Sequence, residues 1–208
     1  MAGEEKPPAG GTAEKVEKPK EAPKPKLEAV DASEHPWVRS IRAALPDTVQ
    51  SAKKFAGQIT VVVKREQIAR VARHLKDAED FKYCVDVTAV DWRDRQPRFD
   101  VVYHFYSFSK NDRIRVKCGV AEGEEVPTIA TVFLAANWCE RETYDMFGIR
   151  FSGHPDMRRI LTWEGFHGYP LRKDFPLEGI DTGAAVYPEE WPEGGGPPKD
   201  DPNRKVVS

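Results

Sequence analysis

The chain is poor in cysteine, and its three thiols, Cys84, Cys118 and Cys139, are scattered. No Cys-x-x-Cys pair occurs, and three thiols alone cannot fill a thiolate iron–sulfur site. Few, odd-numbered and distant cysteines fit reduced thiols in a cytosolic compartment rather than a disulfide framework. A His-x-x-x-His pair is also missing. His154 and His167 stand apart in loop-like sequence, where histidine more often hydrogen-bonds or caps than binds metal. No run of about 18 apolar residues exists, so no segment reads as a membrane span. The N-terminus, Met1-Ala-Gly-Glu-Glu-Lys-Pro-Pro8, lacks the apolar stretch of a signal peptide and is too acidic for a transit peptide. There is no Gly-x-Gly-x-x-Gly and no Walker-type loop, and Gly194–Gly196 has no strand–helix context. A Gly-x-Ser-x-Gly elbow is absent too. These absences leave no evident site for a metal, a nucleotide or an acyl-enzyme.

Charge is abundant but balanced: 32 Lys and Arg against 34 Asp and Glu give a net charge of -2. Nothing in that balance draws the chain toward nucleic acid, although a local basic patch remains open. The distribution along the chain is uneven. Residues 1–34 are Lys, Glu, Pro, Ala and Gly, too poor in large apolar groups to offset ordering entropy, and read as a disordered head. Residues 181–208 form an extended Gly- and Pro-rich tail that keeps Val186, Tyr187 and Trp191. Those three are either anchors for another surface or chance aromatics in a floppy tail.

Residues 35–150 carry the periodicities of a folded core. Pro36 suits the first turn of a helix bearing Trp37, Ile41 and Leu45, ended by Pro46 and Asp47. Val49–Phe55 and Gln58–Val63 read as a hairpin around Ala56-Gly57. Ile68, Val71, Ala72 and Leu75 make the apolar stripe of a helix over 66–80. Tyr83–Trp92, Phe99–Phe108 and Ile114–Val120 are β-rich. The second is apolar on both faces and is expected at the centre of the sheet, covered by helices on at least one side. Short links favour antiparallel neighbours. Thr131–Asn137 and Trp138–Phe147 read as helical, with Gly148 placed for a C-terminal cap. The expected fold class is α+β: an antiparallel-rich sheet flanked by helices, followed by an ordered irregular segment, 151–180, that begins an extended C-terminal arm.

Two short blocks hold most of the chemistry. On a helix, Arg141 sits four before Asp145 and can pair with it. Glu140 and Glu142 flank that arginine with no histidine nearby in sequence. They are read as a solvated or salt-bridged face, or as fixed charges that set register with a partner, and not as an acid–base pair. Cys139 near them is read as a structural thiol. The second block, Gly168-Tyr-Pro-Leu-Arg-Lys-Asp-Phe-Pro-Leu-Glu-Gly179, is stiffened by Pro170 and Pro176. It alternates Tyr169, Leu171, Phe175 and Leu177 with Arg172, Lys173 and Asp174. Such a strip loses little entropy on docking, and it can wrap its own domain or reach across to a partner. Arg158 and Arg159 add a basic patch, which leaves RNA binding as a third-ranked alternative.

The run Glu140-Arg-Glu-Thr-Tyr-Asp-Met-Phe147, followed by His154, Arg158 and Ile160-Leu161, resembles the signature of the C-subunit (30 kDa) family of respiratory complex I. The block Tyr169-Pro-Leu-Arg-Lys-Asp-Phe-Pro-Leu177 is similar to a second one in that family. The resemblance is strongest over 130–180 and looser from 35. It implies a non-catalytic scaffold subunit in the peripheral arm of an NADH:quinone oxidoreductase, docked against the D subunit. Membrane association, on the cytoplasmic side of the inner membrane, comes only through the complex. FMN, iron–sulfur clusters and quinone are expected in other subunits and none on this chain. The family residues Glu140, Arg141, Glu142, Asp145, His154, Arg158, Tyr169, Pro170, Arg172, Lys173, Asp174, Phe175 and Pro176 are implied to serve folding and docking rather than catalysis. An equivalent subunit of a membrane-bound hydrogenase or alternative-donor complex fits the same resemblance.

Overall fold

The computed structural model describes residues 28–163 and 166–179. Its centre is a six-stranded sheet in the order β1-β2-β3-β6-β5-β4, with β1 Val30–Asp31, β2 Val49–Phe55, β3 Gln58–Val63, β4 Tyr83–Asp91, β5 Phe99–Ser107 and β6 Asp112–Val120. Neighbours are antiparallel except β3 and β6, which run parallel. The helices are α1 Pro36–Ala44, α2 Ile68–Asp77 and α3 Ala136–Phe147. A small parallel pair, β7 Glu125–Pro127 and β8 Arg150–Ser152, lies beyond the main sheet. The fold is α+β.

Period two explains the sheet. Ile59, Val61 and Val63 of β3, Ile114, Val116, Cys118 and Val120 of β6, and Phe99, Val101, Tyr103 and Phe105 of β5 all bury on one side. Val38 and Ile41 of α1 and Ile68, Val71, Ala72 and Leu75 of α2 close over that side, and all six are fully buried. Each large aliphatic group so covered contributes roughly 1.5–3 kcal/mol. As expected, β5 is interior to the sheet, and helices cover one of its faces. Its other face carries the buried Val102 beside the half-buried His104 and Tyr106.

Several boundaries differ from expectation. The α2 helix starts with a single 3-10 turn, Arg65–Gln67, and stops at Asp77, where the Ala78 N–H still reaches His74 O. Thr131–Ala135 is not helical, because Val132 and Phe133 turn inward to the core and both donate to Ile129 O. Strand β1 falls inside the stretch assigned to the head. Its two exposed side chains carry no apolar pattern, and it is held by backbone pairing to Lys53 and Lys54. Gly148 caps α3 with φ 77°. The tail residues Val186, Tyr187 and Trp191, and residues 1–27, lie outside the described residues.

Candidate functional site

The chemistry-bearing residues converge on the C-terminal half of α3, where three polar clusters tie the irregular segment to the sheet. The first is centred on Glu140, whose side chain is fully buried. Its Oε1 accepts the Ile129 N–H at 2.8 Å, and its Oε2 accepts the Thr128 hydroxyl. His154 is equally buried, with Nε2 at 3.9 Å from Oε2. The His154 Nδ1 accepts the Asp156 N–H at 3.0 Å, so Nε2 carries the proton and donates to Asn137 O at 3.1 Å. Burial pushes the Glu140 carboxyl up to about 7, against the two hydrogen bonds from Thr128 and Ile129.

The second cluster surrounds Asp145, also with no exposed side-chain surface. Oδ2 accepts the N–H groups of Ile160, Leu161 and Thr162 at 3.0, 2.7 and 2.8 Å. Oδ1 accepts Arg159 Nη1 at 2.8 Å and the Thr162 hydroxyl. Burial works to raise this carboxyl, but the Thr162 hydroxyl and the three amides outweigh it and hold it at about 2. The expected Arg141–Asp145 pair does not form. Arg141 instead donates Nε and Nη2 to the carbonyls of Arg158 and Arg159, both at 3.0 Å. A helix surface favours i,i+4 pairing by only a few tenths of a kcal/mol, less than two charge-assisted bonds to backbone carbonyls offer. Nor are the glutamates one solvated face: Glu142 is exposed, whereas Glu140 points inward. The basic patch is likewise occupied, since Arg158 grips Asp156 with two 2.8 Å contacts and Arg159 is spent on Asp145.

The third cluster joins the family strip to the end of the sheet. Asp91 closes β4, and Arg98, just before β5, grips it with Nε at 2.9 Å and Nη2 at 2.8 Å. The same carboxylate accepts the backbone N–H groups of Arg93 and Lys173. Arg98 also meets Asp174 and Glu122, each at 3.0 Å. Together they hold Asp91 well below the carboxylate range, the Arg98 hydrogen bonds acting most strongly against the cost of burial. Arg172 donates Nε to Phe147 O at 2.6 Å and Nη1 to Glu122 at 2.7 Å, and lies over the Tyr169 ring. Tyr169 packs edge-on to Tyr144 of α3. Gly148 has no alternative here: a Cβ would sit 2.5 Å from the Tyr169 ring and 2.7 Å from Arg172 Nη2.

The strip therefore wraps its own domain. Phe175 stacks on Phe166, which meets Trp163 edge-on. Pro176 accepts the Gly179 N–H, Pro170 is half-buried, and Lys173 contributes its backbone N–H while its side chain is exposed. Arg172 turns inward, and Leu171 and Leu177 turn out, with 53% and 104% exposure. Leu161, Trp163, Leu134 and Trp138 are exposed too. Arg159, read from sequence only as part of a basic patch, and Asp91, Arg98, Glu122, Thr128 and Thr162, not singled out by any pattern in the sequence, complete the clusters. Of the latter, only Asp91 and Arg98 leave a trace there, as opposite charges flanking the turn between two strands. No group of three or more metal-ligating side chains occurs among the described residues. Burial pushes Cys84 and Cys118 up to about 12 and raises Cys139, which keeps all three as thiols. The carboxylates of these clusters are occupied in holding backbone and arginines of this chain.

Residues 61–181 match the family described as respiratory-chain NADH dehydrogenase, 30 Kd subunit. The chain belongs to this family. All three clusters fall within the matched span. The C subunit of the NADH-quinone oxidoreductase of Rhodobacter capsulatus is 55% identical over 136 residues, 64% of this chain and 68% of that protein. The protein of the same name from Geobacter metallireducens is 48% identical over 68% of this chain and 89% of its own length. That from a Methylobacterium strain is 52% identical, and the chain spans 65% of its length. Among solved structures, a chain of the membrane-bound sulfane sulfur reductase, an archaeal respiratory membrane complex, superposes with a TM-score of 0.58 at 27% identity. That match covers 67% of this chain and 84% of the other. The 30 kDa family is thus represented by a member with no helix, among the described residues, long and apolar enough to cross a membrane.

Proposed function

We propose that this chain is a non-catalytic scaffold subunit in the peripheral arm of a membrane-bound NADH:quinone oxidoreductase, which couples electron transfer from NADH to quinone to proton translocation. One observation carries the reading. Most of the signature side chains, Glu140, Arg141, Asp145, Arg158 and Arg172 among them, bond within the chain, while Leu134, Trp138, Leu161, Trp163, Leu171 and Leu177 stand exposed. Exposed large apolar side chains on a frame stiffened by hydrogen bonds are what a docking surface needs. Its occupant is the D subunit, and rigidity serves to keep neighbouring subunits in register. FMN, iron–sulfur clusters and quinone belong to other subunits, with none on this chain. The chain reaches the cytoplasmic side of the inner membrane through the complex and binds no nucleic acid.

The test is a mild-detergent affinity pull-down of the chain from its native membranes, with mass spectrometry and an NADH:quinone assay. Recovery of the D subunit and the NADH-oxidising subunits with activity supports the reading; a chain recovered alone sinks it. The likeness to the sulfane sulfur reductase chain favours a second reading, an equivalent subunit of a hydrogenase or alternative-donor complex. That reading predicts co-purification of a different electron-input module and no NADH oxidation.

A further inference from the structure

Among the described residues the helices whose buried side chains join the core lie on one side of the sheet. On the other side the register places side chains in rows. Lys53, Thr60, Arg115, His104 and Asp86 form one row across β2, β3, β6, β5 and β4. Val62, Lys117, Val102 and Thr88 form the next, and Arg113, Tyr106 and Tyr83 another. Phe55, paired with Gln58, closes the β2 corner. Lys53, Arg113, Arg115 and Lys117 have no carboxylate within 4.0 Å among the described residues; Arg115 donates only to Gln58. Of the acids on this face, Asp100 is held by Arg95 and the Trp92 indole, which leaves Asp86 alone. Burial, then Arg115, with Lys117 and Arg113 adding, depresses the central His104, and Asp86 opposes them. Four cations thus share a face with one free carboxylate.

We propose that this open sheet face is a docking surface for an acidic protein surface on a neighbouring subunit. The charge asymmetry selects carboxylates, because like charges left unpaired gain most from an opposite set. The remainder of the face selects protein. The half-buried Val62 and Val90 add apolar surface to the face, and Phe55 and Tyr83, 45% and 48% exposed, offer aromatic anchors on β2 and β4. A balanced overall charge of -2 gives no comparable pull toward a phosphate backbone or an anionic membrane. The inference rests on the reading of the chain as a subunit of a larger assembly.

The experiment uses the intact complex from native membranes. Surface amines are acetylated with a water-soluble reagent, and in parallel a carbodiimide joins amines directly to adjacent carboxylates. Lys53 and Lys117 are expected to acetylate several-fold less in the complex than in the isolated full chain, while Lys82 reacts equally in both. The carbodiimide links are expected to end on Asp or Glu of one other subunit. Equal acetylation of Lys53 and Lys117 in both states overturns the proposal. So do links that end on Asp181, Glu189, Glu190 or Glu193 of this chain, and so does protection lost to nuclease or to lipid removal. Lys53→Glu with Lys117→Glu should lower the recovered complex several-fold, whereas Arg70→Glu on the helix side should not; equal yields from both count against the face. Failure to co-purify any partner instead removes the scaffold reading, so the two failures are distinguishable.

Discussion

In the sheet, Val61, Tyr103, Phe105, Ile114 and Val116 are fully buried and pack against apolar neighbours. Between Ile149 and Gly179 the chain buries far less apolar surface and instead hands its backbone to two carboxylates. Asp145 collects three consecutive amides, and Asp91 collects the Lys173 amide together with Arg98. The sheet tolerates changes of hydrophobic identity that keep volume. The strip tolerates no loss of its acceptors, because each buried N–H left unpaired costs about 1–3 kcal/mol. One region is specified by a pattern, the other by individual atoms.

The sharpest way to break that contrast is Asp145→Ala. It leaves Arg159 and three amides without their acceptor and should cost about 3–5 kcal/mol. Hydrogen exchange would locate the loss: amides of 160–162 should lose protection while β5 and β6 keep theirs. Uniform loss across both regions would show that strip and sheet unfold as one unit. Next in size, Gly148→Ala should cost about 2 kcal/mol from the left-handed backbone alone, and more from displacing Tyr169. Thermal unfolding would read it, with the largest change expected in assembly with partners.

Within α3 the same contrast can be tested by pH. Glu140 in the folded chain takes up its proton at about 7, above its ordinary 4.5. The folded state therefore binds more protons between these values, so stability falls as pH rises from 4.5 through 7. Asp145 has the opposite sign, since its stabilisation is complete above 3.8 and is lost as pH falls through about 2. Glu140→Gln should flatten the stability profile between pH 4.5 and 7 and leave the acid limb unchanged. Denaturant melts across that range would check it, and an unaltered slope would mean that the carboxyl is already ionised inside the fold. The smallest effect belongs to the core. The Tyr103 hydroxyl is buried with no oxygen or nitrogen partner, and the Cys118 thiol beside it is at most a weak one. Tyr103→Phe should change stability by no more than about 1 kcal/mol, in the stabilising direction. A loss larger than that would reveal a bound water satisfying the hydroxyl.

What the sequence discloses follows the same division. The stripe of α2 and the β2–β3 hairpin around Ala56-Gly57 are read directly, since each is local and periodic. The parallel pairing of β3 with β6 is not, because more than fifty residues separate Ile59 from Ile114 and no local signal records the crossover. In the site, Glu140, Asp145 and Arg172 of the family blocks stand in the polar clusters, and Gly148 caps the end of α3 as its position suggests. Their partners are not legible. Arg141 looks destined for Asp145 by helical spacing, yet it takes the carbonyls of Arg158 and Arg159. Nothing in Glu140-Arg141-Glu142 says which glutamate turns inward until Thr128 and His154 are seen beneath it.

Strand β4 is the last strand of the sheet, and Thr143 of α3 donates its hydroxyl to Val87 O of that strand at 2.9 Å. The helix thereby sits against one margin of the sheet and engages a backbone carbonyl there. At the opposite margin β1 is two residues long, and Lys53 and Lys54 stand exposed beside it. Among the described residues, a newly made copy waiting for its neighbours thus has a helix against one sheet margin and exposed lysines at the other, both unfavourable to pairing with a second copy. Runaway self-stacking, the hazard of any subunit produced ahead of its complex, is resisted at both ends of the sheet.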